Sequence, residues 1–477
     1  MYINLTFSLL WFSVALYFAL FEGVGTTFAF CYLPALMFTR AISGYVLHGG
    51  WPDLTAANVT ILAMIIGSLL RIGQGAKIRW GMMDLIVLFA PVASIISAIT
   101  TEVWHTGYDE FIKQLFGWWV PYFVARYAFR SEAIRQKFLW TLATCLLLLT
   151  PFVLIELRLW PHFYAEMLKK TGIGISSDWR AEMRLGLFRT AISFNHSIYF
   201  GDACVSMIGM LLVLATTTKI GLRNWLVRLG IAAAVLGLAA SLSFGPWGAA
   251  ALAAAIFVLL RYFRSFRFLL APTVILAIAV MTVVTWQLAT APLGERPRDG
   301  SVADSFWVRR LILQHTWEQA TTAGPFGWGR LEPLDVVDLD SIDNAYILFA
   351  MCRGWVYLLL WLAIPLAVAL RVGKAMRRYT ASQAHIFPLA VGAACALGVS
   401  AAFYGVWAGW AGEPYTMLWL IGIALMMSVS DFCLEAPAPL ANLDNRARGF
   451  EPIIARRFGG RPVANSPPRP RLPVGAR

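Results

Sequence analysis

Long apolar segments alternate with short polar segments along most of the chain. A transmembrane helix needs about 20 mostly apolar residues, and the pattern predicts 12 or 13 such helices. The first two form either a hairpin or one bent element, and the N-terminus is interpreted as the first span because it lacks a basic region and a cleavage site. The predicted spans are roughly 5–20, 25–39, 58–71, 84–100, 113–130, 136–157, 198–216, 225–242, 246–261, 267–288, 345–370, 386–408 and 415–432.

Composition supports an all-α, polytopic membrane protein. The 477 residues are 59% hydrophobic and 14% charged, whereas soluble domains are about 45–50% apolar and about 25% charged. One water-facing core cannot hide so much apolar surface, so soluble enzyme folds are excluded. The net charge of +13 lies largely in short loops and the C-terminal tail. That distribution is typical of membrane topology and anionic lipid rather than of nucleic-acid binding.

Charge also predicts the orientation of the helices. Alternate loops are short and basic, and they fall on one side of the membrane if the spans alternate. The positive-inside rule makes that side cytoplasmic. These loops carry Arg71, Lys77 and Arg79; Arg130, Arg135 and Lys137; Lys219, Arg223 and Arg228; Arg261, Arg264 and Arg267; Arg371, Lys374, Arg377 and Arg378.

The chain divides into four regions. Transmembrane helices fill 1–289, with an external loop near 158–197, and a large external loop follows at 290–344. Further transmembrane helices occupy 345–432, and 433–477 is a disordered, basic cytoplasmic tail. The large loop is predicted to hold an amphipathic helix around 304–320, with Phe306, Leu311, Leu313 and Trp317 on its apolar face, and then the turn 324–329. Chemistry is expected in such a loop.

The six cysteines lie in or beside apolar segments, without Cys-x-x-Cys spacing or a nearby histidine. They are interpreted as packing residues, and neither a disulfide framework nor a zinc site is expected. The cysteines are Cys31, Cys145, Cys204, Cys352, Cys395 and Cys433.

Arginines on the external side run against the positive-inside pattern. The guanidinium group offers a rigid fork of donors suited to phosphate and diphosphate, so an anionic ligand is expected there. The alternative is anchoring to lipid headgroups or salt bridges to nearby carboxylates. The candidates are Arg184 and Arg189 in the first external loop, and Arg309, Arg310 and Arg330 in the second.

Other polar residues stand where loops meet predicted spans. Asp343, followed by Asn344, is interpreted as a helix N-cap, as a base that accepts a proton from a hydroxyl nucleophile, or as both. His196 is interpreted as a helix cap or a buried, hydrogen-bonded residue rather than as a base, and His315 is interpreted in a similar way. Ser243 lies in the external turn 241–247. Asp202 and Arg353 are ionisable residues inside predicted spans, where they should face the bundle interior and could pair.

Four motifs then occur in a fixed order over about residues 180–430. Together they resemble the O-antigen ligase and O-antigen polymerase superfamily, whose pattern has Arg…Phe-x-His…Gly, a Ser-Arg-Gly turn, a large-loop helix with a Pro-x-Gly-x-Gly exit, and a signature that opens the next helix. The corresponding segments are Arg189-x4-Phe194-Asn195-His196-x4-Gly201; Ser243-Phe244-Gly245; Arg309-Arg310 followed by Pro325-Phe326-Gly327-Trp328-Gly329; and Asp343-Asn344-x-Tyr346-x7-Gly354.

This resemblance implies a GT-C-like bundle that performs metal-independent, inverting glycosyl transfer at the periplasmic face of a bacterial inner membrane. The donor would be an undecaprenyl-diphosphate-linked saccharide and the acceptor a saccharide or lipid-linked glycan, with membrane lipids as neighbours and no cofactor or nucleic acid. By position, Arg189 with Arg309 or Arg310 would hold the diphosphate, and Asp343 would serve the acceptor. The implied substrate-binding set is Asn344, His196, His315, Arg184, Arg330 and Ser243.

Two departures from the family pattern affect the choice of activity. Ligases typically carry histidine at the position of Asp343, and Phe244 replaces the arginine of the Ser-Arg-Gly turn. The Asp-Asn form resembles the exopolysaccharide-polymerase branch, so an exopolysaccharide or O-antigen polymerase is expected. The alternatives are an O-antigen ligase acting on lipid A-core, a flippase or transporter of lipid-linked oligosaccharides, and an inactive scaffold. Charges concentrated in one external loop, without internal repeats, favour the enzyme over the transporter.

Overall fold

The computed structural model describes residues 2–39, 54–70, 80–101, 104–170, 183–194, 196–295, 302–328, 344–378, 383–403 and 414–435. These ranges are helical apart from loops and one small hairpin. The helices are α1 Tyr2–Tyr17, α2 Val24–Thr27, α3 Leu33–Phe38, α4 Ala56–Leu70, α5 Met82–Thr101, α6 Trp104–Gln114, α7 Val120–Ala128, α8 Glu132–Arg158, α9 Phe163–Lys170, α10 Ser197–Thr217, α11 Trp225–Ala240, α12 Phe244–Tyr262, α13 Arg264–Thr290, α14 Val302–Thr322, α15 Ala345–Arg378, α16 Gln383–Ala402 and α17 Pro414–Glu435. The strands are β1 Met183–Arg184 and β2 Leu187–Phe188, and π-helical turns occupy Phe18–Glu22, Phe28–Tyr32 and Leu115–Trp119.

Nine helices within the described ranges are long and apolar enough to cross a membrane. The all-α, multi-pass class is therefore confirmed, and each of the nine corresponds to a predicted span. Three other predicted spans, 25–39, 58–71 and 225–242, correspond to shorter apolar helices. At about 1.5 Å per residue, a helix of 15 residues such as α4 covers only about 22 Å. The one predicted span still to be assigned, 113–130, is divided among α6, a π-helical turn and α7.

Burial separates the centre of the bundle from its periphery. Most of α17 is buried, whereas α13 is mostly exposed along its length. The exposed side chains of α13 include Ile275, Leu276 and Val280. Exposed apolar surface along a membrane-spanning helix is typical of a helix that faces lipid. All six cysteines are free, and five of them are buried, which agrees with their prediction as packing residues.

An ion-pair network joins four helix ends at one face of the bundle. Arg126 at the end of α7 contacts Asp84 at 3.2 Å and Asp431 at 2.6 Å. Arg371 of α15 also pairs with Asp431. We call this end the basic face, because Arg130, beside the end of α17, belongs there too. This network was not predicted from the sequence, because its partners lie far apart in the chain.

The opposite end carries the longer connections, and we call it the loop face. Helices α8 and α13 begin at the basic face and end here, whereas α10, α12, α15 and α17 begin here. Its main feature is a break in α15 at Gly354, where φ is 81°. The turn at 324–328 fills the break and satisfies its backbone groups through Trp328 N–Met351 O (2.9 Å), Trp355 N–Gly324 O (3.3 Å) and Val356 N–Pro325 O (3.2 Å). Non-helical backbone inside a membrane-spanning helix needs such partners, because lipid offers no hydrogen bonds.

Helix α14 lies on the loop face beside the break. It extends the predicted helix 304–320 by two residues at each end. Ile312, Leu313 and Ala320 pack against the first half of α15, with Trp317 partly buried beside them. The expected apolar face is therefore confirmed at Leu313 and Trp317, while Leu311 is only partly buried and the side chain of Phe306 lies outside the described residues.

Candidate functional site at the loop face

A two-residue hairpin opens the site. β1 and β2 pair antiparallel, with Met183 opposite Phe188 and Arg184 opposite Leu187. The turn residues Leu185 and Gly186 both have positive φ, 55° and 74°. This is the type I′ geometry that matches the twist of a hairpin. The hairpin holds Arg184 against the turn that precedes α12.

Glu156 fixes the segment that follows the hairpin. Its buried carboxylate, near the end of α8, accepts backbone N–H groups from Tyr164 at 3.1 Å, Ala191 at 3.3 Å and Ile192 at 3.0 Å. Ile192 has φ of 51°, a costly conformation for a β-branched residue. Glu156 compensates that cost by satisfying the local amides. Glu156 was not among the predicted site residues, although an acidic residue near the end of an apolar span indicates a carboxyl group that needs partners.

Arg189 and Ser243 are brought together although 54 residues separate them. Arg189 Nη2 donates to Ser243 Oγ at 2.9 Å, and the hydroxyl of Ser243 donates to the carbonyl of Ser241 at 2.9 Å. Both side chains are buried. Burial lowers the pKa of Arg189 because desolvation disfavours the charged guanidinium. An anionic ligand would offset that cost.

Arg184 completes this cluster. Its Nη1 donates to the carbonyl of Leu242 at 3.2 Å, and its guanidinium lies over the ring of Phe244 at 5.4 Å. Phe244 stands where the Ser-Arg-Gly turn of the superfamily, which this segment resembles, has arginine. Arg184 of the hairpin therefore lies beside this turn. We refer to Arg184, Arg189, Ser243 and Phe244 as the arginine cluster.

His196 is the N-cap residue of α10, directly before Ser197. Its Nδ1 accepts the backbone N–H of Ile198 at 3.1 Å, so the capping interpretation of this histidine is confirmed. Its ring lies 5.5 Å from that of Tyr199, which in turn stacks on Tyr415 of α17 at 4.5 Å. Gly201 follows on α10 with Pro246 packed closely against it.

Helix α14 carries three of the predicted residues. Arg310 donates to the carbonyl groups of Leu288 at 3.2 Å, Ala291 at 2.7 Å and Pro292 at 2.9 Å. It therefore caps the C-terminal, negative end of α13. Arg309 and His315 are exposed on the same helix. Arg310 thus donates to backbone carbonyl groups, whereas the adjacent Arg309 is exposed.

Asn344 is the cap of α15. Its Oδ1 accepts the backbone N–H groups of Tyr346 at 3.0 Å and Ile347 at 3.2 Å. The cap was predicted at Asp343, and the side chain that caps α15 is that of the next residue, Asn344. Asp343 itself, Arg330 and Asn195 lie outside the described residues.

The pair proposed between Asp202 and Arg353 is wrong. Arg353 Nη2 contacts Glu110 Oε2 of α6 at 2.6 Å, and Glu110 also accepts from Ser94 and Gln114 at 2.6 and 2.7 Å. Asp202 is fully buried in α10, and neither of its carboxylate oxygens has a hydrogen-bond partner among the described residues. Glu110 was overlooked because 113–130 was read as the span.

The structure thus brings Arg189 into contact with Ser243. It places Arg184 on Leu242 and Phe244, the two residues that flank Ser243, and His196 at the N-cap of α10. Arg309, Arg310 and His315 belong to α14, and Asn344 to the start of α15. No group of three or more His, Cys, Asp or Glu side chains in the described part of the chain is placed to hold a metal ion. No protein-family model and no curated protein sequence matches the chain.

Proposed function

We propose that the chain is an inverting, metal-independent glycosyltransferase of the bacterial inner membrane. It polymerises undecaprenyl-diphosphate-linked repeat units of an exopolysaccharide or O-antigen. The observation that carries the proposal is the buried contact between Arg189 and Ser243. It supports the proposal because two residues from separate motifs of the resemblance, and a cation destabilised by burial, stand at one place on the loop face.

The distribution of charge supports the proposed orientation. The positive-inside rule assigns the basic face to the cytoplasm, which gives the loop face, with the arginine cluster, to the periplasm. Arginines retained on the side that disfavours cations are consistent with an anionic substrate there.

The proposed reaction assigns a role to each group. Arg189 and Arg309 contact the diphosphate, and the charge on the leaving group is stabilised as it develops. Arg310 positions α14, since its donors are engaged by the carbonyls at the end of α13. Asp343 accepts the proton of an acceptor hydroxyl. The hydroxyl oxygen bonds to the anomeric carbon as the bond from that carbon to the diphosphate oxygen breaks, and undecaprenyl diphosphate leaves.

The test is the length distribution of lipid-linked glycans in a deletion strain of the source organism. Accumulation of single repeat units is expected, because elongation is lost. Accumulation of long lipid-linked chains would instead identify a ligase, for which transfer to lipid A-core is the missing step. The strain is then complemented with Asp343→Ala, which should fail to restore elongation. Arg223→Ala, an exposed arginine in the loop before α11, is the control and should restore it.

Asp202 favours a second candidate, a transporter of lipid-linked saccharide. Unpartnered carboxyl groups inside membrane helices often mark transport pathways. The two candidates differ in where single repeat units accumulate. Membrane-impermeant periodate applied to spheroplasts oxidises sugars in the outer leaflet only. Units sensitive to periodate in the deletion strain would support the polymerase, whereas protected units would support the transporter.

A further inference from the structure

The tip of the hairpin exposes apolar side chains. Leu185 is 85% exposed and Met183 is 57% exposed. Leu185 also occupies a turn position with positive φ, where Asn, Asp or Gly is usual. A leucine there carries backbone strain and exposes apolar surface at once. Contact with an apolar medium would remove the second of these costs.

The neighbours of the tip place it at the level of the membrane boundary. Arg184, between the two apolar residues, lies over Phe244, which is the first residue of the membrane-spanning helix α12. Phe244 is 71% exposed, and the outward side chains of α12 below it include Leu252 and Val258. The apolar tip is therefore adjacent to a helix surface that faces lipid.

A second pair at the same face has the same character. Trp160, beyond the end of α8, is exposed, and Lys170 lies over its ring at 5.0 Å. Aromatic rings combined with cations are typical of the interface between hydrocarbon and water. This pair supports placing the loop face, at the end of α8, in the headgroup layer.

We propose that the hairpin 183–188 inserts its tip into the lipid leaflet at the loop face. Met183 and Leu185 contact the acyl boundary, and Arg184 contacts lipid phosphates. Arg184 donates through Nη1 to Leu242 and stacks on Phe244, and the other N–H donors in the plane of its guanidinium suit a phosphate. The occupant is lipid because the patch adjoins the lipid-facing surface of α12. The inference rests on the membrane class and not on the proposed function.

The experiment measures the depth of a nitroxide attached to Leu185→Cys in protein embedded in phospholipid nanodiscs. Five native cysteines are buried, and labelled wild-type protein gives the background. Power saturation compares accessibility to oxygen, which partitions into lipid, and to a nickel chelate, which stays in water. Leu276→Cys on α13 is the lipid reference, and Glu318→Cys, exposed on α14, is the water reference.

Because the tip is proposed to lie at the acyl boundary and Leu276 lies near the middle of α13, the expected ratio of oxygen to nickel accessibility at position 185 lies between those of the two references and above that of Glu318→Cys. A ratio equal to that of Glu318→Cys would overturn the proposal. Low accessibility to both reagents would overturn it as well, because it would mean that protein, either a partner or a second copy, covers the tip. None of these outcomes depends on enzymatic activity.

The phosphate contact is tested by adding Arg184→Glu to the labelled protein. In nanodiscs the label should shift toward the water reference, because a carboxylate is repelled from the phosphate layer. In maltoside micelles, which contain no phosphate, the shift should be absent. An equal shift in both media would mean that Arg184 acts only through Leu242 and Phe244, and the phosphate contact would be rejected.

Discussion

Arg353 of α15 and Glu110 of α6 form a buried ion pair, with 2.6 Å between Nη2 and Oε2. The pair lies next to Gly354, the residue at which α15 breaks. Ser97 of α5 reaches the same place and donates to the carbonyl of Cys352 at 3.1 Å. The break is thus held from one side by the turn at 324–328 and from the other by α5 and α6.

We expect single replacements of this pair to be costly. Arg353→Met or Glu110→Leu leaves one buried charge without its partner, which costs about 3–5 kcal/mol. The double variant should be less destabilised than the sum of the two, because no charge is stranded. Thermal unfolding of the three purified variants measures this. Additive losses would show that the two side chains contribute independently.

The break in α15 should depend on glycine. A Cβ on Gly354 would lie 2.3 Å from the carbonyl oxygen of Pro325, and one on Gly327 would lie 2.5 Å from the amide nitrogen of Gly354. Both glycines have positive φ. Gly354→Ala and Gly327→Ala should each cost more than about 3 kcal/mol.

Gly248→Ala on α12 is the matched control, because nothing lies within 4 Å of its added Cβ. It should unfold at the wild-type temperature or slightly above, since alanine favours helix. If Gly354→Ala were as stable as this control, the close approach of the turn to α15 would be wrong.

The helices and their class could be predicted from sequence because the apolar periodicity of α8, α10 or α17 is local. The turn at 324–328 could also be recognised as a turn. The insertion of this turn at Gly354 could not be predicted, because the contact depends on how two separate segments of backbone pack together. The same holds for Glu110, whose partner Arg353 lies 243 residues away. The arginines of the site could be predicted as candidate anion-binding residues from their residue type and their place in external loops. Only the fold shows that Arg310 donates to the carbonyl groups at the end of α13.

Glu156 should be needed to hold the segment that leads to Arg189. In Glu156→Gln one carboxylate oxygen becomes an NH2 donor, which then faces a backbone N–H of Tyr164, Ala191 or Ile192. An unsatisfied buried donor costs about 1–3 kcal/mol, so the unfolding temperature should fall and elongation should weaken. Glu166→Gln, an exposed change on α9, should alter neither. Wild-type stability of Glu156→Gln would show that these contacts contribute nothing.

Asp202→Asn separates the two candidate functions. The amide has nearly the shape of the carboxyl group and cannot be charged, so its burial costs less, and the unfolding temperature should stay the same or rise. A polymerase whose chemistry lies in the arginine cluster should elongate glycans normally in this variant. Loss of elongation, with single repeat units protected from periodate, would instead assign Asp202 to a transport pathway.

Arg189 gives the sharpest test of the proposed site. Its buried guanidinium has a lowered pKa, so the folded state bears a desolvation cost that Arg189→Met removes. We therefore expect Arg189→Met to lose elongation at least about tenfold, or about 1.4 kcal/mol in barrier, without a fall in unfolding temperature. Arg189→Lys should lose it too, because a single ammonium cannot reproduce the planar fork toward Ser243 and a phosphate.

Ser243→Ala should reduce elongation less, since it removes one acceptor and leaves the cation. Activity should persist in EDTA in the wild type and in Ser243→Ala. If Arg189→Met were as active as Arg223→Ala, or if wild-type activity required an added divalent metal, the arginine cluster would not be the diphosphate site.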